Sequence, residues 1–181
     1  MPKVGTKPIV LDIRGGHGAG KTHIVHAVTE RFGKEEVGIS GCWIVKEINA
    51  VVCRTDRGSD PETIQKKIDL GLRKGRLLIE GTISSHTKGR YLELARRLGA
   101  GYHFLFLNTP LETCIARVSS RRTQTKNRFS EKPFNPNNVI VEYNKAQRIR
   151  KELEIISELD VRELDWENPL PLVYELLGVT L

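Results

Sequence analysis

Several things are scarce in these 181 residues, and each scarcity narrows the function. No apolar run approaches the roughly 18 residues that a membrane-spanning helix needs. The first seven residues, MPKVGTK, lack the apolar core of a secretory leader. Cysteine occurs only at positions 42, 53 and 114, with no C-x-x-C spacing. That pattern argues against a disulfide framework or a zinc site and for a reducing compartment, so the expected location is the cytoplasm, away from membranes. The sequence therefore reads Cys42, Cys53 and Cys114 as small buried thiols. His23, His26, His86 and His103 show no metal-ligand spacing. Repeats, low-complexity tracts and linker-like composition shifts are absent, so one domain over residues 1–181 is expected. Acidic residues are sparse between Arg117 and Lys151, where ten Lys/Arg face only Glu131 and Glu142. After Lys151 the balance reverses, and eight Asp/Glu face Arg162 alone. A basic block of this kind points to polyanionic ligands, either nucleotide phosphates or nucleic acid.

Against these absences stands one specific motif. Gly15-Gly16-His17-Gly18-Ala19-Gly20-Lys21-Thr22 fits G-x-x-x-x-G-K-[ST], the phosphate-binding loop of P-loop NTPases. Average residue usage makes a chance match in such a chain roughly a one-in-a-few-hundred event. The context strengthens it. Residues 8–13 read as a short buried strand, and residues 21–32 as a helix with Ile24, Val25, Ala27, Val28 and Phe32 mostly on one face. Glycines let consecutive backbone N–H groups turn toward phosphate oxygens, and the helix N-terminus adds partial positive charge. Lys21 is then the phosphate-reaching cation and Thr22 the Mg²⁺ ligand, with ATP as the nucleotide. His17 contributes its backbone only.

The rest of the chain alternates strand and helix signals. A short strand is expected at 36–40. Residues 42–54 favour a β-hairpin turning at Asn49-Ala50, although the spacing of Ile44, Ile48, Val51 and Val52 also suits a helix. A polar loop follows, 55–60. Asp60 then caps a helix begun by Pro61 and ended by Lys74-Gly75. Strands are expected at 76–81, 102–107 and 161–164. Helices are expected at 91–99, from Thr109-Pro110 to about 122, at 139–159 and at 170–177. Such alternation implies an α/β fold with a mostly parallel central sheet flanked by helices. Ligands then bind beyond the carboxyl ends of the strands, which places the P-loop, the 56–60 loop and Glu80 on one rim.

The candidate chemistry follows from that rim. Asp56 and Asp60 are candidate general bases for an acceptor hydroxyl, Asp60 also having the helix-cap role. Glu80 ends its strand and either holds a Mg²⁺-bound water, orients the acceptor or is a structural carboxylate. Arg54 and Arg57 suit bidentate binding of acceptor phosphates. Asp12 reads as structural, and Trp43 as core packing rather than a base-stacking platform.

The segment 123–138 is polar and basic, and sits between helices carrying Arg117, Arg121, Arg122 and Arg148. This resembles the lid of the nucleoside monophosphate kinase-like group. The stretches 105–118 and 164–169 also look like that group's strand leading into the lid and its late turn near the nucleotide base. The resemblance implies a P-loop, nucleotide-kinase-like fold with a short basic lid at about 123–138. It also implies that Arg117, Arg121, Arg122 and Arg128 neutralise a transferring phosphoryl group and help to exclude water. A looser likeness links 54–60 and 132–138 to thymidylate-kinase-like and polynucleotide-kinase-like proteins of bacteriophages, some of which phosphorylate 5-hydroxymethyluracil in DNA. The chain departs from this pattern in lacking a clear Asp-Arg-Tyr or Asp-Arg-Ser signature.

The expected function is an ATP-dependent kinase that moves the γ-phosphoryl group to a nucleic-acid-related hydroxyl, with a 5-hydroxymethyl pyrimidine in DNA as the favoured acceptor. A (deoxy)nucleoside monophosphate kinase is the alternative, and a non-catalytic nucleotide-binding regulatory module is the reading of a different class. The oligomeric state and the choice between ATP and GTP stay open.

Overall fold

A computed structural model describes residues 7–54, 60–82, 93, 96, 99–124, 135–156 and 159–180. The sheet is built around β1, Ile9–Gly15. β1 lies between two parallel neighbours, β5 (Arg76–Thr82) and β6 (Gly101–Leu107). It is covered on both faces, which is why its sequence is an apolar run rather than an alternation. The sheet order is β2-β3-β4-β5-β1-β6-β7, with β2 Glu35–Glu36, β3 Cys42–Val45, β4 Ala50–Arg54 and β7 Asp160–Leu164. Strands β4, β5, β1, β6 and β7 run parallel, while β2 and β3 form an antiparallel edge. The hairpin expected at 42–54 is therefore present, and its helical alternative is excluded. Asn49, just before β4, adopts φ 49°, a left-handed conformation that Asn tolerates better than most residues.

Helices cover both faces. On one face Ile24, Val25 and Val28 of α1 (Lys21–Phe32) pack with Leu11 and Ile13, joined by Val173 and Tyr174 of α5 (Leu170–Leu176). On the other, Ile64 and Ile68 of α2 (Pro61–Lys74) pack on Val51, Leu77 and Ile79. Ala146, Ile149 and Leu153 of α4 (Asn137–Glu154) pack on Phe104 and Phe106. α3 spans Leu111–Gln124. Among the described residues no helix is long and apolar enough to cross a membrane.

The local signals around α2 are realised. Asp60 accepts a hydrogen bond from the Thr63 N–H at 2.9 Å, Pro61 opens the helix, and Gly75 closes it at φ 86°. Other boundaries move. The second strand is only Glu35–Glu36, ahead of the expected 36–40, because Gly38 and Gly41 turn the chain at positive φ. α4 starts two residues earlier than expected and ends at Glu154 rather than near 159. Ile155, just past its end, is 84% exposed and gives the helix no apolar reason to continue. The helix expected at 91–99 lies mostly outside the described residues; Glu93 and Arg96 within it are helical.

Two polar residues break the apolar run of β1. Asp12 and Arg14 are both buried and pair with each other, and the Tyr102 hydroxyl donates to Asp12. Asp12 is thus held by its neighbours on β1 and β6, in line with its structural reading.

Candidate active site

The parallel strands deliver Gly15, Arg54, Thr82, Leu107 and Leu164 to one end of the sheet. The loop leaving β1 needs glycine where it turns. Gly18 has φ 78°, and a Cβ there would stand 2.5 Å from the Cys114 carbonyl oxygen. Gly20, at φ 103°, is the residue from which α1 starts. This left-handed geometry is strained for residues with a side chain. The Lys21 ammonium curls back over the loop and donates to the carbonyls of Gly15 at 3.1 Å and Gly16 at 2.8 Å. Burial pushes its pKa down to about 8; Glu80 opposes that shift and Arg14 adds to it. His17 is exposed.

Glu80 is the carboxylate at the centre. It is buried on β5, directly across the ladder from Arg54 on β4. Arg54 donates through Nε to Glu80 Oε1 at 3.1 Å, and Thr22 Oγ1 donates to the same oxygen at 3.4 Å. Arg54 is fixed from behind, since Lys67 of α2 donates to its carbonyl at 2.9 Å. The Thr22 hydroxyl and the Glu80 carboxylate are hard oxygen donors beside a phosphate-binding loop, a donor set that suits Mg²⁺. Among the described residues no group of three or more His, Cys, Asp or Glu forms a metal cluster.

A second wall stands on the other side of the loop. Thr109 donates to the Ala19 carbonyl at 2.7 Å, and Arg117 Nη1 donates to Ala19 at 3.1 Å and Gly18 at 3.4 Å. The Arg117 guanidinium also lies over the Trp166 ring, 5.6 Å from its centroid. Gly20, His23, Arg117, Arg121, Trp166 and Pro169 line a cavity of about 440 Å³. A planar aromatic stacked with a guanidinium at the mouth of a phosphate loop is suited to a nucleobase.

No protein-family model and no curated protein matches the chain. Solved structures do. Deoxyadenosine kinase from M. mycoides with bound dATP superposes with a TM-score of 0.52 at 12% identity, covering 94% of this chain and 99% of that one. The Deinococcus radiodurans tunicamycin resistance protein gives 0.50 at 17% identity, covering 96% of this chain and 98% of that one. This is an α/β P-loop fold.

Within the P-loop fold the sequence-predicted residues separate into four groups. Lys21, Thr22, Glu80 and Arg54 come together, although Arg54 meets Glu80 rather than standing open toward an acceptor. Arg117 sits against the loop carbonyls and Trp166, and Arg121, exposed on α3, lines the same cavity. Asp60 is exposed, with its Oδ1 engaged in the helix cap. Asp56, Arg57 and Arg128 lie outside the described residues, as do the Arg122 side chain and residues 125–134 of the expected lid.

Sequence reasoning did not single out Thr109 or Lys67 for the site. Thr109 stands at the expected start of a helix, yet its hydroxyl donates to the P-loop. A lysine at an inward position of an amphipathic helix was the available signal for Lys67, which is 1% exposed.

Proposed function

We propose that this protein is an ATP-dependent kinase that moves the γ-phosphoryl group onto a hydroxyl of a nucleic-acid-related acceptor, specifically a 5-hydroxymethyl pyrimidine in DNA. The observation that carries the phosphotransferase reading is the meeting of Thr22 and Arg54 on one oxygen of Glu80, next to Lys21. A bare phosphate-binding turn needs neither a buried carboxylate nor an arginine that orients it.

In this reading the 15–22 backbone and Lys21 hold the donor phosphates. Thr22, with Glu80 alongside, would hold Mg²⁺, whose charge offsets that of the phosphates when it is bound. Arg54 holds the Glu80 carboxylate in place beside the Thr22 hydroxyl. Trp166, backed by Arg117, faces the base. Asp56 takes the acceptor proton, while Asp60 caps the start of α2. Arg57 binds the acceptor. Arg128 belongs to a basic lid at about 123–138, and Arg121 and Arg122 act with it from α3 to exclude water, since water would otherwise compete as the acceptor.

The basic block favours a polymeric acceptor. One observation favours a second reading, a (deoxy)nucleoside monophosphate kinase. Arg148 pairs with Glu152 at 3.8 Å, and Arg150 pairs with both Glu154 and Glu163 at 2.8 Å. These pairings neutralise part of the block within the domain, and a single monophosphate needs only a few arginines.

The test is γ-labelled ATP offered with hydroxymethyluracil DNA, plain DNA, 5′-hydroxyl oligonucleotides and a panel of monophosphates. Label on hydroxymethyluracil DNA alone is expected. Label on a monophosphate and on no DNA would transfer the proposal to the second reading. Label on none, with ATP still bound, would leave a nucleotide-binding regulatory module. The Lys21→Ala variant should lose transfer in every arm.

A further inference from the structure

Cys42 and Cys53 are register partners across the β3–β4 hairpin, and their Sγ atoms stand 2.7 Å apart. The next rung outward carries a ladder hydrogen bond, from the Arg54 N–H to the Gly41 carbonyl at 2.7 Å. Hydrogen-bonded and non-bonded pairs alternate along an antiparallel ladder, so Cys42 and Cys53 occupy a non-hydrogen-bonded pair. There the Cα atoms lie about 4.5 Å apart and the side chains approach most closely. That spacing lies within the roughly 4.4–6.8 Å that a disulfide spans without moving the backbone. Both cysteines are free and buried, on the face of the sheet covered by α2. Cys114 packs in the core layer on the opposite face, which leaves Cys53 as the partner for Cys42.

We propose that Cys42 and Cys53 form a reversible intramolecular disulfide, made by a small hydroperoxide and undone by thiol reductants. The burial of the pair selects a small oxidant over a bulky disulfide. The two sulfurs differ in character. The hydrogen bond from Cys53 holds the Cys42 thiol below its ordinary value, against the opposing effect of burial, and the Lys67 ammonium acts in the same direction. Burial pushes the Cys53 thiol up.

Cys42 is therefore the attacking thiolate and Cys53 the resolving group. The Cys42 sulfur attacks the peroxide and breaks its O–O bond, giving a Cys42 sulfenic acid. The alcohol or water that leaves carries the proton Cys42 gave up. The Cys53 sulfur then attacks the Cys42 sulfur and breaks its S–O bond, and the hydroxide leaves as water with the Cys53 proton. In sum, two thiols and one hydroperoxide give one disulfide, one alcohol (or water) and one water. The new bond ties β3 to β4 one residue before Arg54, whose side chain holds Glu80. The inference does not depend on the kinase reading.

The test uses the full chain, reduced, exposed to hydrogen peroxide, then denatured and alkylated. One alkylated cysteine per chain instead of three is expected, with a peptide joining Cys42 to Cys53. Dithiothreitol should return all three thiols. Cys42→Ser and Cys53→Ser should each block the link, while Cys114→Ser should retain it. Three alkylatable thiols after peroxide would overturn the proposal. So would sulfinic or sulfonic acid on Cys42 without a link, a bridge to Cys114, or bridges only between chains. Mass is the readout, so loss of kinase activity cannot imitate either result.

Discussion

Arg54 and Glu80 are cross-ladder partners on adjacent parallel strands, and Arg54 Nε lies 3.1 Å from Glu80 Oε1. The pair links β4 to the phosphate loop, because Thr22 Oγ1 reaches the same oxygen. A carboxylate held from both sides has little rotamer freedom, which the proposed Mg²⁺ site at Thr22 would require.

Glu80→Gln keeps the size of the side chain and removes its charge. Arg54 keeps an acceptor but loses its counter-ion in a largely buried setting. Stability should fall by about 1–3 kcal/mol in denaturant titration, in the range for a weakened charged hydrogen bond. Turnover should fall about a hundredfold with little change in nucleotide KM, since the loss would concern charge developing in the transition state. Unchanged turnover would confine Glu80 to anchoring Arg54.

Lys21 gives a pH signature. Its folded pKa is about 8, below the ordinary 10.5, chiefly through burial. Donor phosphates favour the ammonium form. Above pH 8 binding must first protonate Lys21, so the nucleotide Kd should rise about tenfold between pH 7 and pH 9. Folding stability responds in the opposite sense. Between pH 8 and 10.5 the unfolded chain holds a proton that the folded chain has released, so this group's contribution to stability rises with pH across that window. Calorimetric titrations at several pH values measure the first effect, and a flat Kd would mean that Lys21 stays charged throughout.

Asp60 separates capping from catalysis. Asn caps a helix about as well as Asp but accepts no proton. Asp60→Asn should therefore keep both the thermal midpoint and the turnover, while Asp60→Ala should lower the midpoint alone. A loss of turnover near a hundredfold in Asp60→Asn would instead make Asp60 the proton acceptor.

The parts of this protein legible in its sequence are the local ones. Gly15 to Thr22 announces a phosphate loop because the motif's geometry is contained in eight neighbouring residues. Asn49 marks the hairpin turn, and Asp60, Pro61 and Gly75 mark the ends of α2, for the same reason: capping and turn chemistry act over three or four residues. The alternation of strands and helices was enough to predict a mostly parallel sheet.

What only the tertiary structure decided are the meetings between distant segments. Glu80 reads as a carboxylate ending a strand, whereas β5 continues to Thr82, and its engagement by Arg54 and Thr22 depends on the order β4-β5-β1 and on register. Arg117 read as a lid arginine, and packing of α3 sets it against the P-loop carbonyls and Trp166. Cys42 and Cys53 read as unrelated buried thiols, and one hairpin register brings their sulfurs to 2.7 Å. Register and strand order are chosen by the burial of whole faces at once, a property of the assembled sheet that no short stretch of the chain encodes.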